Sequence, residues 1–277
     1  MNKFTLELLC NIIGIGSASG LLYKDQTLHL ISDNSTFLYQ YHMPDQSLSH
    51  HALAPKPAAN IPKPQKPDFE SMVSDAEKIY VFGSGSTQNR NTLVTLDKIS
   101  HQIIAITDLT NLYLSMQSFA QIPPDGFNIE GVARDQNTWY FFQRGNGAGG
   151  QNGVFTVEAR DFELDFNMVY NAFKLPKIGG VRASFTDAVA VGGKLYFLAT
   201  SEDTKSTYHD GQILGSMIGI IDIAKMKLGK TQVISTRNKF EGLAVYASAR
   251  DSIAFLLCED NDTNALESAI YLLRINH

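Results

Sequence analysis

Five short apolar runs, each nearly free of polar residues, recur along the chain at intervals of roughly 55 residues. They cover residues 28–32, 79–83, 139–143, 195–200 and 253–258. A run of this length without alternation of polar and apolar residues is typical of a β-strand that is covered on both faces of its sheet. We therefore predict that each run is a middle strand of its own sheet, and that each sheet packs between two others.

Each run belongs to a longer unit that repeats. A signature of one acidic or small residue followed by small and apolar residues precedes it, at residues 18–22, 69–73, 129–133, 186–190 and 240–244. A third apolar segment follows it, at residues 37–41, 92–96, 154–157, 217–223 and 269–275, and a more variable fourth comes next, as at 102–107 and 232–236. Four strands per unit and a period of about 50 residues predict a β-propeller.

The sequence also predicts how the circle of sheets closes. The last copy lacks its fourth strand, whereas residues 4–11 form a spare strand before the first copy. The 36 residues after Glu241 and the first 19 residues together make one unit of 55. We therefore predict an all-β fold in which residues 1–277 form a single closed propeller of about five four-stranded blades. The blades would start near residues 19, 70, 130, 187 and 241, and the amino-terminal strand would complete the last one by pairing with residues 269–275.

The amino-terminal strand bears on two further predictions. Glu7 and Asn11 interrupt its apolar stretch, so we interpret it as part of the fold rather than as a signal peptide. In the closed propeller Cys10 lies on the fourth strand of the last blade and Cys258 on its second strand. One strand between them sets the two about 10 Å apart, too far for a disulfide. Both are predicted to be free, buried thiols.

Charge and hydropathy exclude some classes of partner. The chain has 23 Lys and Arg against 28 Asp and Glu, a net charge of −5, without a basic cluster. We expect no nucleic-acid or membrane surface, and no apolar run reaches the ~18–20 residues of a membrane span. A cytoplasmic location is expected, with a periplasmic or secreted one left open. Residues 55–67 contain five prolines and are predicted to be an extended connector between blades.

The candidate chemistry lies at one end of the predicted propeller. In an up-and-down blade, the start of the first strand and the end of the second lie at the same face. The recurring acidic residues should therefore ring the axial channel there: Glu70, Glu130, Asp187 and Glu241, with Ser19 in the first copy. Such carboxylates could bind a hard cation such as Ca²⁺ or Mg²⁺, or accept hydrogen bonds from backbone N–H groups of the crowded inner strands. The sequence leaves both roles open.

Other polar residues follow the second strands at the same mouth. The candidates for ligand binding are Arg144, Arg90, Glu202, Asp203, Asp210, Asp33 and Glu259. The two arginines could hold an anionic group in bidentate fashion or pair with the ring carboxylates. Residues 201–216 are the longest polar insertion at this face, and we predict that they form a loop, either a binding loop or a mobile surface one.

Several of these segments resemble a bacterial β-propeller family of unknown function. The resemblance covers nearly the whole chain and rests on residues 69–72, 82–86, 90–91, 128–131, 142–146 and 202–216. The Glu-Gly-Leu/Val-Ala repeat is also similar to that of the phytase-like esterase and SdiA-regulated propellers. That second resemblance implies metal-bound phosphoester chemistry at one mouth. This chain departs from those groups in having about five blades and an arginine-containing mouth.

Two functions are consistent with these patterns. The first is a ligand- or metal-binding site at the acidic mouth, as in a hydrolase of an anionic or sugar-like substrate, with Ca²⁺ as the only cofactor expected. The second is a non-catalytic propeller that binds a protein partner or a small ligand. The sequence does not decide whether the chain is an enzyme.

Overall fold

The strands form five antiparallel sheets of four strands each. The computed structural model describes residues 4–145, 149–204, 211–260 and 265–276. The amino-terminal strand is β1 (Phe4–Ile13). Blade 1 consists of β2 (Ala18–Lys24), β3 (Thr27–Ser32), β4 (Phe37–His42) and β5 (Ser47–Ala52). Blade 2 consists of β6 (Phe69–Ser74), β7 (Lys78–Gly83), β8 (Thr92–Asp97) and β9 (Ile103–Asp108), and helix α1 (Thr110–Ala120) follows it.

The remaining blades repeat this order. Blade 3 consists of β10 (Ile129–Asp135), β11 (Thr138–Gln143), β12 (Gly153–Asp161) and β13 (Asp165–Ala172). A small hairpin of β14 (Lys177–Ile178) and β15 (Val181–Arg182) leads to blade 4. Blade 4 consists of β16 (Ser184–Val191), β17 (Lys194–Asp203), β18 (Gln212–Asp222) and β19 (Lys227–Ser235). Blade 5 consists of β20 (Phe240–Ser248), β21 (Ser252–Glu259), β22 (Glu267–Asn276) and β1.

The first strands of the five blades form a closed inner ring. Strand β2 contacts β6, β6 contacts β10, β10 contacts β16, β16 contacts β20, and β20 returns to β2. The second strands are almost entirely buried, because each sheet is covered on both faces by its neighbours. The prediction of an all-β, five-bladed propeller is confirmed.

The circle closes at blade 5 as predicted. Strand β1 pairs antiparallel with β22, from Phe4 opposite Ile275 to Ile13 opposite Glu267. Cys10 on β1 and Cys258 on β21 both lie opposite Ile270, with β22 between them. Both thiols are free, as predicted, although only Cys258 is fully buried and Cys10 is half-buried.

Aromatic rings fill the space between neighbouring blades. Phe142 of blade 3 packs edge-to-face on Phe185 of blade 4, and Phe185 packs in the same way on Phe197, with ring centroids 5.0 Å apart in both pairs. Burial of each such ring contributes about 1.5–3 kcal/mol. The blades are therefore held in their angular positions by an apolar layer that lies outside the inner ring.

Three local features differ from the sequence-based expectation. Helix α1 was not predicted; Leu112, Tyr113 and Met116 form its buried face, and the Tyr113 hydroxyl donates a hydrogen bond to the Gly83 carbonyl at 2.7 Å. The hairpin of β14 and β15 was not predicted either. The predicted loop over 201–216 is shorter, because β17 and β18 pair as far as Asp203 opposite Gln212.

In the described part of the chain, no helix is long and apolar enough to cross a bilayer.

Candidate functional site

Each inner strand carries one extra residue at the same height in the channel. Near the start of the first strand of every blade, its pairing with the second strand skips one position, which is a β-bulge. The skipped residues, here called the ring residues, are Ser19, Glu70, Glu130, Thr186 and Glu241. The repeated bulge places one side chain per blade at the mouth of the channel.

The register corrects the sequence alignment in blade 4, where the ring residue is Thr186 and not Asp187. Asp187 lies one residue later, at the position of a glycine or serine in the other blades. Its carboxylate accepts hydrogen bonds from the backbone N–H of Ala188 at 2.8 Å and of Leu243 at 2.7 Å. Burial raises the pKa of Asp187 well above its usual range. Because Leu243 belongs to β20, Asp187 ties blade 4 to blade 5.

Blade 2 has an equivalent bond. Ser71 follows the ring residue Glu70, and its Oγ accepts a hydrogen bond from the backbone N–H of Val132 on β10 at 2.7 Å. The two ring residues that carry hydroxyl groups also link neighbouring blades. Ser19 donates to the Phe69 carbonyl at 2.5 Å, and Thr186 donates to the Phe240 carbonyl at 2.7 Å. Much of the polar chemistry around the ring therefore holds adjacent blades together.

Arg144, directly after β11, is surrounded by carboxylates from three blades. Its guanidinium group lies 3.1 Å from Glu130, 2.6 Å from Glu202 and 3.6 Å from Glu241. Burial alone would lower the pKa of Arg144, but these carboxylates outweigh it and raise that pKa well above its usual value. Arg144 is thus a permanent cation that balances the charge of Glu130, Glu202 and Glu241.

Lys239, directly before β20, extends the same cluster. Its ammonium group lies 3.0 Å from Glu241, 3.2 Å from Asp260 and 3.8 Å from Glu202. Lys239 and Asp260 were not among the residues singled out in the sequence. The signal that could have found them is their position, since each is the first residue outside a strand that ends at the mouth.

A second ionic cluster lies between blades 1 and 2. Arg90 binds Asp68 at 2.7 Å, and Lys66 binds the other oxygen of Asp68 at 2.7 Å and also contacts Asp33. Lys66 and Asp68 come from the connector between β5 and β6, so the predicted extended connector returns to the channel at its end. Sequence reasoning found Arg90 and Asp33 but missed the two connector residues.

Glu70 borders this second cluster. One oxygen each of Asp33, Asp68 and Glu70 lies within 4.8 Å of the other two, and we call these residues the acidic triad. Glu70 is only 7% exposed and has no hydrogen bond or ion pair with any residue that the structure describes. Asp33 Oδ1 is likewise buried without a hydrogen-bond partner. Burial, together with the charges of Glu130 and Asp68, raises the pKa of Glu70 well above its usual range.

Two other candidate ligand residues, Asp203 and Glu259, form no ion pair with either cluster in the described part of the chain. Asp203, at the end of β17, is exposed. Glu259 accepts hydrogen bonds from the Asn238 amide at 2.7 Å and from the Tyr271 hydroxyl at 2.9 Å. Asp210 lies outside the described residues.

The two clusters together carry more negative than positive charge. Four buried cationic side chains face seven carboxylates, not counting Asp187: Lys66, Arg90, Arg144 and Lys239 against Asp33, Asp68, Glu70, Glu130, Glu202, Glu241 and Asp260. Burial disfavours the ionised state of each carboxylate that has no cationic partner, and binding of a proton or another cation removes this cost. The mouth is therefore built to attract positive charge.

Comparison with known proteins places the chain in a family and confirms its fold. Residues 14–275 match the model of a family of unknown function, DUF6929. No curated protein matches the chain.

Solved structures with the same fold differ in what they do. A glutaminyl cyclase from Myxococcus xanthus has a TM-score of 0.57 at 14% identity, covering 98% of this chain and 96% of that one. A PQQ-bound aldose sugar dehydrogenase from Streptomyces coelicolor has a TM-score of 0.55 at 10% identity, covering 99% of both chains. The calcium-binding protein regucalcin from Agrobacterium tumefaciens has a TM-score of 0.51 at 10% identity, covering 99% and 95%. At these identities the likeness shows the propeller fold alone.

Proposed function

Since the chain belongs to DUF6929, a family of unknown function, we propose from its own residues that it binds a divalent cation in the channel mouth. The ligands are the acidic triad of Asp33, Asp68 and Glu70, and Ca²⁺ is the ion that suits them best. The sequence repeat instead predicts Glu70, Glu130, Asp187 and Glu241 as metal ligands. Only Glu70 belongs to both sets.

A single observation carries the proposal: Glu70 is the one ring residue without a partner among the described residues. Ser19 and Thr186 donate to carbonyl groups, whereas Glu130 and Glu241 bind Arg144 and Lys239. A buried carboxylate that lacks a partner costs several kcal/mol in its ionised form. A bound cation would remove that cost at Glu70.

The geometry of the triad fits calcium. Calcium binds carboxylate oxygens at 2.3–2.6 Å, so two oxygens on opposite sides of the ion are about 4.8 Å apart. The three oxygens of the triad lie within this distance of one another. Regucalcin, named above as a calcium-binding propeller, is consistent with the proposal, but the assignment rests on the residues of this chain.

Cation binding is common to both functions that the sequence leaves open, a hydrolase and a non-catalytic propeller. In a hydrolase of an anionic or sugar-like substrate, a carboxylate-held cation would polarise the oxygen of the bond to be cleaved. In a non-catalytic propeller, it would hold a ligand or brace blades 1 and 2. The arginines are not proposed as anion receptors, because Arg90 and Arg144 are each paired with carboxylates.

The test is calcium binding by the whole chain and by Glu70→Gln. We expect Ca²⁺ to raise the melting temperature of the wild type relative to a chelator, by about 2.7 kcal/mol in stability at 100 times its dissociation constant. Glu70→Gln should abolish this shift. Without calcium it should melt at or above the wild type, because the neutral amide avoids the cost of the buried charge. Isothermal titration calorimetry gives the stoichiometry.

Glu77→Gln is the matched control, since Glu77 is an exposed acid on the β6–β7 turn. It should bind calcium like the wild type. Absence of any shift in the wild type with either Ca²⁺ or Mg²⁺ would contradict the proposal, as would full binding by Glu70→Gln.

A further inference from the structure

The ammonium group of Lys66 lies inside the proposed cation site. It binds Asp68 Oδ1 at 2.7 Å and contacts Asp33 Oδ2, so it touches two of the three triad carboxylates. Lys66 is itself buried, and the residue after it is Pro67. The lysine thus places a positive charge from this chain where the triad would hold a metal ion.

The charges of the site leave room for only one of these two occupants. The triad contributes three negative charges, and Arg90, bound to Asp68, contributes one positive charge. A divalent cation would bring the sum to zero without Lys66. With Lys66 still in place, the same ion would leave an excess positive charge in a buried site, which is unfavourable.

We propose that Lys66 and a divalent cation are alternative occupants of the acidic triad, so that binding of the ion expels the lysine ammonium group. The inference rests on the proposed cation site. It adds a mechanism of regulation, because the position of the Lys66 side chain becomes coupled to occupancy of the triad.

The backbone of the connector is held along its length, so the exchange needs movement of the Lys66 side chain alone. The Lys66 N–H donates to the Pro62 carbonyl at 3.1 Å, and its carbonyl accepts a hydrogen bond from the Asn89 amide at 3.2 Å. The first part of the connector is fixed to blade 1, through the N–H groups of Ala58 and Ile61, which donate to the Thr36 hydroxyl and the Asn34 carbonyl at 2.8 Å. Near Lys66, the Arg90 guanidinium donates to the Lys63 carbonyl at 3.0 Å. The side chain of Lys66 can therefore leave the triad without release of the whole connector.

The first measurement uses the unmodified protein. We expect acetylation of Lys66, followed by mass spectrometry, to be slow in chelator and several-fold faster in saturating Ca²⁺. The reason is that in the calcium-free protein the amine is buried and ion-paired with Asp68 and Asp33, where the reagent cannot reach it. Lys56, exposed on the same connector, should react equally in both conditions.

The second measurement is the calcium affinity of Lys66→Met. Without the competing ammonium group, the site is always available to the ion, and we expect at least about a tenfold gain in affinity. Lys239→Met is the matched control. It removes the same charge from the same mouth, at a lysine that pairs with Glu241 and Asp260, and should change the affinity much less.

The outcomes separate the two proposals. If the wild type binds calcium but Lys66 stays protected and Lys66→Met gains no affinity, the exchange is wrong and the cation site stands. If neither the wild type nor Lys66→Met binds a divalent cation, both proposals fail. The acetylation experiment decides the exchange even if Lys66→Met does not fold.

Discussion

At the scale of single residues, neighbouring carboxylates of the mouth lie in opposite electrostatic environments. Burial alone would raise the pKa of Asp68, but Lys66 and Arg90 outweigh it and lower that pKa. Two residues along the chain, Glu70 forms no ion pair with a described residue. Burial and the charges of Glu130 and Asp68 outweigh the charge of Lys66 there and raise the pKa of Glu70. The role of an acid at this mouth is therefore set by the residues that surround it.

Asp187 has a structural role, because it accepts hydrogen bonds from two backbone N–H groups, and a substitution can test that role. Asp187→Asn keeps only one acceptor oxygen, so either the Ala188 or the Leu243 N–H loses its partner. An unpaired buried donor costs about 1–3 kcal/mol, so we expect a clear fall in melting temperature. Calcium binding should be unchanged, since Asp187 lies outside the triad. A variant as stable as the wild type would show that this bond does not hold blades 4 and 5 together.

At the scale of elements, three histidines join blades 1 and 2 away from the ring. His29 on β3 lies 5.2 Å from the ring of His101, on the β8–β9 turn, and His101 lies 4.4 Å from the ring of His51 on β5. The His29 Nε2 atom is buried without a hydrogen-bond partner. Burial and the charges of His101, His51, Lys98 and Lys24 lower the pKa of His29 to about 4.

The histidine cluster predicts a loss of stability in mild acid. An unfolded histidine binds its proton near pH 6.5, whereas His29 in the folded protein binds it only near pH 4. Stability should therefore fall as pH drops below about 6.5, and the share of His29 at pH 5 is about 2 kcal/mol. His29→Leu should flatten the fall, as measured by urea unfolding at pH 5 and 7.5. A slope in His29→Leu equal to that of the wild type would contradict the assignment.

Elements whose signal is local could be predicted from the sequence, and those fixed by distant contacts could not. The run 79–83 is apolar because two blades cover it, and that pattern is visible in the sequence alone. The ring position of blade 4 depends on a bulge in the pairing of β16 with β17, so the sequence repeat predicts Asp187 there although the structure has Thr186. The role of Lys66 could not be predicted from the sequence, because its contact with Asp33 depends on the path of the connector back to the channel.

At the scale of the whole molecule, stability depends on the closure of the circle. Each inner strand contacts two others, and blade 5 obtains its outer strand from the amino terminus. Strand β1 pairs with β22 through nine residue pairs, and its Ile12 is buried. The first and last segments of the chain are thus held in one sheet, and the free edge of β22 is covered.

Deletion of residues 1–13 tests this closure. The deletion removes every backbone hydrogen bond between β1 and β22 and leaves the edge of β22 open to pairing with another molecule. A loss of several kcal/mol corresponds to about 10 °C or more in melting temperature, and we expect that fall together with aggregation in size-exclusion chromatography. Deletion of residues 1–3, which precede β1, should have no such effect. A peptide of residues 1–13 added to the truncated protein should restore part of the stability, because the missing strand can pair with β22 from a separate chain. If the truncated protein stays monomeric and melts like the full chain, β1 is dispensable and the propeller is held closed by its inner ring alone.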